Sequence, residues 1–281
     1  MSPTPRIAST IISGQPTSDG AGVKLRRYIA GPQLPILDPF LLFDCFSSDN
    51  PNDYIAGFPE HPHRGFETVT YLVAGKMRHR DSTGREGVIE PGDIQWMRAG
   101  RGIIHSEMPE QTDGLLMGFQ LWLNLPASAK MSAPGYQEYS ADTIPVEVLT
   151  GGGELRVLCG KRPCGLQGPV TNADTQPLFF DISLRAGGEF TQPIPSSHSA
   201  FIYIIEGQLS IDETQHCVHS QQLAVLNAGE NLTLNALEDC RLLLVAAKRL
   251  EEPVERAGPF VMNTRQELQQ AFDDYRTGRF V

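Results

Sequence analysis

Along the chain, short apolar or alternating stretches recur, each of strand length and each closed by Gly, Pro, Asn or Asp. The segments ETVTYLV, GDIQWM, LLMGFQLWLNL, LFFDISL, SAFIYII, QLAVLN and RLLLVAA carry the β-branched and aromatic residues that favour a pleated, half-buried surface. Such spacing predicts an all-β protein built as sandwiches or barrels. The pattern lapses over residues 126–145, where Pro, Ser and Ala collect, so a domain boundary is expected there. One helix is expected near the end. Thr264 and Glu267 form a T-x-x-E capping box, Leu268, Phe272 and Tyr275 make an apolar stripe to pack on a sheet, and Gly278 can end the helix.

The strand pattern repeats. FETVTYLVAGKM overlays SAFIYIIEGQL when Gly75 is matched to Gly207, and GDIQWMRAGRGIIHSE overlays SQQLAVLNAGENLTLNA when Gly100 is matched to Gly229. Two blocks at similar offsets imply a duplicated β-domain. A chain of 281 residues also suits two cores better than one.

The copies differ in their chemistry. Ahead of the first block stand His61 and His63, and near the end of the second stand His105 and Glu107. Residues two apart on a strand point to one side, so each pair can converge on a common object. Three imidazoles and one carboxylate make a mixed N and O site suited to a redox-capable divalent ion such as iron, manganese, nickel or copper. A closed structural zinc site would more often use thiolates. In the second copy the overlaid positions are Pro193, Pro195, Leu234 and Ala236, none of which can hold a metal, and His198 falls opposite Phe66, out of register. One working site and one scaffold domain are therefore expected.

A histidine pair at a strand mouth can equally be solvated or bonded to backbone; the second pair tips the reading toward a metal. His79 alternates with arginines and is expected to be exposed, as are His216 and His219. Arg64, Glu67 and Arg101 flank the ligands and could either orient them or make surface and turn contacts. Gly100 and Gly102 read as a tight turn into a strand, since no helix pattern follows to make a phosphate loop.

Composition narrows the setting. The net charge of −10 argues against a nucleic-acid surface, which needs clustered Lys and Arg. No apolar run approaches the roughly 18 residues that would span a membrane, and MSPTPRIAST lacks the apolar core of a signal peptide, so a cytoplasmic location is expected. Five scattered cysteines without a CxxC pair point to free thiols, with Cys159 and Cys164 as the pair that could oxidise across a turn.

HPHRGFETVTYLVAG, GDIQWMRAGRGIIHSEMP and the late GPFVMNTRQELQQAFDDY resemble the pirin family of the cupin superfamily, and the resemblance runs over nearly the whole chain. It implies two tandem cupin (jelly-roll) barrels: residues 1–135 with the metal site, and residues 136–281 without one, plus a short C-terminal helix. It implies one divalent metal, Fe(II) first, with Mn, Ni and Cu as alternatives, held by His61, His63, His105 and Glu107. It also implies quercetin 2,3-dioxygenase activity, in which O2 opens a flavonol with loss of carbon monoxide and Glu107 serves as ligand and base. The rival reading is a non-enzymatic, iron-dependent regulatory protein that binds a transcription factor or a metabolic enzyme. An enzyme needs an apolar pocket for a flat polyphenol, and Phe58, Phe66, Val69, Trp96, Met97, Met108 and Phe119 are the candidate walls, unless they are barrel core. A monomer is expected, because two barrels in one chain supply the pairing that single cupins gain by dimerising.

Overall fold

Alternating segments that bury one face must close on a second layer, and this chain does so twice. The structure, a computed structural model, describes residues 3–211 and 217–281. It is mostly β, with a short helix at the end, and falls into two compact units. Among the described residues no helix is long and apolar enough to cross a membrane.

The unit that carries the histidine motifs comprises residues 15–141 and 250–281. Its seven-stranded antiparallel sheet runs in the order Gly135–Tyr139, Ile94–Arg98, Phe66–Ala74, Leu116–Asn124, Phe40–Ser48, Val23–Ile29 and Gln15–Asp19. A four-stranded sheet runs Phe58–His63, Ile103–Pro109, Met77–Asp81, Glu86–Ile89. Leu25, Phe46, Leu72 and Leu116 of the first sheet close on Met77 and Ile89 of the second, and this shared core seals one jelly roll.

The other unit comprises the N-terminal segment up to Gly14 with residues 142–249. Its sheet order repeats the first: Val146–Val148, Gly153–Cys159, Leu178–Leu184, Cys240–Lys248, His198–Glu206, Gln222–Leu226 and Ala8–Ser13. The offset of 132 carries Phe66–Ala74 onto His198–Glu206, as the overlay anticipated. Its apolar core buries Leu155, Phe180, Phe190, Leu232, Leu234 and Leu242 together.

The unit boundaries differ from an expected division at 135/136. Ala8–Ser13 pairs with Gln222–Leu226, so the chain's start completes the later barrel, while Gly135–Tyr139 pairs with Ile94–Arg98 and completes the earlier one. The C-terminal helix, too, belongs with residues 15–141. Edge strands carry weak patterns, and their partner is decided by which sheet edge stands open, a long-range matter.

The helix itself forms over Arg265–Arg276. Its capping box is closed in both directions: the Glu267 amide donates to Thr264 Oγ1 at 3.2 Å and the Thr264 amide donates to Glu267 Oε2 at 3.0 Å. Gly278, at φ 70°, follows the last turn. The buried face centres on Ala271, with Leu268 beside it, against Phe260 and Phe280; Phe272 and Tyr275 are half exposed and touch Phe260 with their ring edges.

Candidate metal centre

The site begins with a strand register. Phe58–His63 and Ile103–Pro109 pair antiparallel, with His61 opposite His105 and His63 opposite Ile103. Alternation then sends His61, His63 and His105 to one side of the pair. The register shifts between His105 and Glu107, which places Glu107 opposite Phe58 and, on the other flank, opposite His79.

The three imidazoles meet. Ring centroids lie 4.6 Å apart for His61 and His63, 4.4 Å for His61 and His105, and 5.0 Å for His63 and His105. Each ring offers a nitrogen within 4.8 Å of the other two. The Nδ1 of His61 lies 2.7 Å from the Pro59 carbonyl, a bond that makes Nδ1 the protonated nitrogen and leaves Nε2 with its lone pair. Burial, and after it the neighbouring imidazoles, holds His63 and His105 well below the usual histidine range, so both are neutral at pH 7. Neither ring nitrogen of His105, nor Nδ1 of His63, has a hydrogen-bond partner. Buried, neutral and unbonded nitrogens facing one another fit a cation, which would replace the missing bonds.

Glu107 reaches the same cavity by a different posture. It is buried, and its carboxylate faces Thr70 and Gln120, outside the cluster of imidazole nitrogens. Thr70 Oγ1 stands 2.9 Å from Glu107 Oε1 and 2.7 Å from Gln120 Oε1, and its single proton serves one of them at a time. Gln120 Nε2 donates to Glu107 Oε2 at 3.3 Å. Burial raises the pKa of this carboxyl, against the opposing pull of His61 and Thr70.

A cavity of about 640 Å³ opens beside these groups. Of the seven expected wall residues only Phe58 lines it; Phe66, Val69, Trp96, Met97 and Phe119 are core, and Met108 lies outside the lining. Leu25, Leu42, Phe46, Met77 and Trp122 supply the apolar wall instead, and Arg27, Asp44 and Arg256 add charge. The flanking charged residues hold the frame and bond none of the three histidines. Glu67 accepts from Trp96 Nε1 at 2.9 Å and from Arg98 Nε at 2.7 Å. Arg64 donates to the Arg101 carbonyl, pairs with Asp274 at 2.7 Å and lies over the Phe280 ring, tying the loop after His63 to the C-terminal helix. Gly100 and Gly102 form the expected turn, with the Gly102 amide bonded to the Ala99 carbonyl at 3.0 Å.

The other histidines divide. His79 is buried, against the expectation of exposure: its strand alternates into the barrel, Nε2 meets Glu138 at 2.9 Å, and Gly87 opposite leaves room for the ring. His219 is exposed, His216 lies outside the described residues, and His198 is buried with Nε2 3.1 Å from the Gln176 carbonyl. In the second barrel the register sets Phe190 opposite Leu234, as His61 stands opposite His105, so Phe190 rather than Pro193 occupies the His61 place. Sequence reasoning missed Thr70, Gln120, Trp122 and Arg256; no local spacing signals them, because each reaches the cavity by sheet closure.

Two jelly rolls in one chain, one with an imidazole cluster and one with Phe190 and Leu234 in the corresponding places, define a two-domain cupin protein. The family model described as Pirin matches residues 22–123 and that described as the Pirin C-terminal cupin domain matches residues 179–281. The chain belongs to the pirin family. It is 51% identical to a pirin-like protein of Caulobacter vibrioides, over 96% of this chain and 97% of that one. It is 41% identical to the pirin of Rattus norvegicus, over 99% and 94% of the two chains. Among solved structures it resembles a quercetin 2,3-dioxygenase from Acinetobacter baumannii, with a TM-score of 0.89, 33% identity and 98% of each chain covered.

Proposed function

We propose that the protein is a metal-dependent dioxygenase of the quercetin 2,3-dioxygenase type, opening a flavonol-like substrate with O2. The observation that carries this reading is the cluster of three imidazoles, two of them buried and with ring nitrogens that have no hydrogen-bond partner, beside a cavity of about 640 Å³, a volume suited to a flat polyphenol. The 33% identity to a structure named as that enzyme supports it.

His61, His63, His105 and Glu107 are the residues that would hold the ion, Fe(II) first, with Mn, Ni or Cu as alternatives. A bound ion supplies Lewis acidity at a phenolic oxygen and electron exchange with O2. The chain supplies the rest. The Pro59 carbonyl fixes the His61 tautomer, and the apolar wall excludes water from a flat ring. Glu107 accepts the proton of the substrate hydroxyl, with Thr70 and Gln120 bonding the resulting carboxyl group.

The test is oxygen uptake with quercetin by protein purified without air and loaded with Fe(II), run beside His61→Ala. Uptake that requires His61 is expected. Absence of uptake in protein with a full complement of iron would overturn the enzymatic reading.

A further inference from the structure

The cavity wall carries two guanidinium groups in different states. Arg27 is engaged: Nε and Nη2 donate to the two oxygens of Asp44 at 2.9 and 2.7 Å, and Nη2 also reaches Asp19 at 2.7 Å. Arg256 stands on the hairpin formed by Glu255–Ala257 and Phe260–Met262. Its Nη1 donates to the Leu41 carbonyl at 2.9 Å, and among the described residues its other N–H groups have no acceptor. The guanidinium is held in place all the same, lying 4.7 Å over the Trp122 ring. The same indole packs edge-on against His63 at 5.1 Å. Arg256 and His63 therefore pack against the same indole. The guanidinium carbon lies no farther from the His63 ring centre than those two distances together, so one flat polyphenol can reach both.

Charge decides what Arg256 can take. Asp19 and Asp44 formally cancel Arg27 and Arg256 at this end of the cavity, so a further full negative charge is not called for. An uncharged acceptor is, because a guanidinium offers donors alone and its planar fork suits an oxygen in the ring plane. We propose that Arg256 is the specificity-determining residue of this cavity, donating to a carbonyl or hydroxyl oxygen on the part of a planar aromatic substrate remote from the imidazoles. The inference rests on the proposed use of the cavity for a flat phenol. It narrows the substrate class to aromatics with oxygens on their outer rings.

The test reads binding, with no turnover. Full-length protein loaded with Zn(II), which does not exchange electrons, is titrated under nitrogen with quercetin and with 3-hydroxyflavone, which lacks the outer-ring hydroxyls. Quenching of tryptophan emission is followed, Trp122 being one of the two tryptophans. Wild type is expected to prefer quercetin by about tenfold or more, the worth of a hydrogen bond to a charged donor. Arg256→Gln should bring the preference to within about threefold through weaker quercetin binding, and Arg256→Lys, which keeps the cation and loses the fork, should fall between. An unchanged preference in Arg256→Gln, an equal loss for both probes, or no preference in wild type overturns the assignment. Preference without oxygen uptake removes the proposed oxidation and leaves the anchor standing; uptake without preference does the reverse, and a wild type that binds neither probe removes both.

Discussion

His61 and His105 stand opposite one another on paired antiparallel strands, with ring centroids 4.4 Å apart. Two residues 44 positions apart in sequence thus share one face because a register, not a motif, brings them together. Removing either ring breaks the cluster while leaving the strands paired.

His61→Ala and His105→Ala are therefore expected to lose most bound metal, at least tenfold in affinity, measured by elemental analysis after dialysis. Glu107→Gln should behave differently. Its carboxylate sits against Thr70 and Gln120, so the variant should keep more metal than either histidine variant and still lose oxygen uptake by about a hundredfold or more. Full metal content and full turnover in His61→Ala would remove the four-residue site.

Acid should destabilise the protein once metal has been stripped by chelation. His63 and His105 are held well below 6.5 when folded and titrate near about 6.5 when unfolded. The unfolded chain then binds more protons as the pH falls through that value. Stability is full above it and drops on acidification by about 1.4 kcal/mol per pH unit for each histidine, until the folded pKa is reached. Urea midpoints compared at neutral and mildly acid pH measure the slope, which His105→Leu should flatten. A flat wild-type profile would contradict neutral buried rings.

The second barrel offers the opposite control. Leu234 is fully buried where the first barrel has His105. Leu234→Ala should cost about 2–5 kcal/mol in denaturant unfolding and leave metal content unchanged. Metal loss in protein that remains folded would mean that the second barrel is no mere scaffold.

Arg64 tests the role of the C-terminal helix. Its side chain is 4% exposed and is paired with Asp274. Asp274→Ala leaves that cation without its carboxylate and should cost about 1–3 kcal/mol, read as a lowered melting temperature. Addition of Phe280→Ala, which removes the ring under the guanidinium, should deepen the loss non-additively, since both groups touch Arg64.

What the sequence determined is what local periodicity can encode. The period-two pattern gave the strands, the offset of 132 gave the duplication, and the i, i+2 spacing put His61 and His63 on one face. The Thr264 and Glu267 capping box was legible for the same reason, being closed within one turn. Tertiary structure decided the rest. Which sheet edge receives Ala8–Ser13, that Phe190 stands in the place of His61, that His79 turns inward, and that Glu107 faces Thr70 all depend on strand register. Arg256 enters the cavity from a hairpin more than a hundred residues past His105. Pairing between distant strands is fixed by closure of the whole barrel around its core, and no short stretch of sequence carries that information.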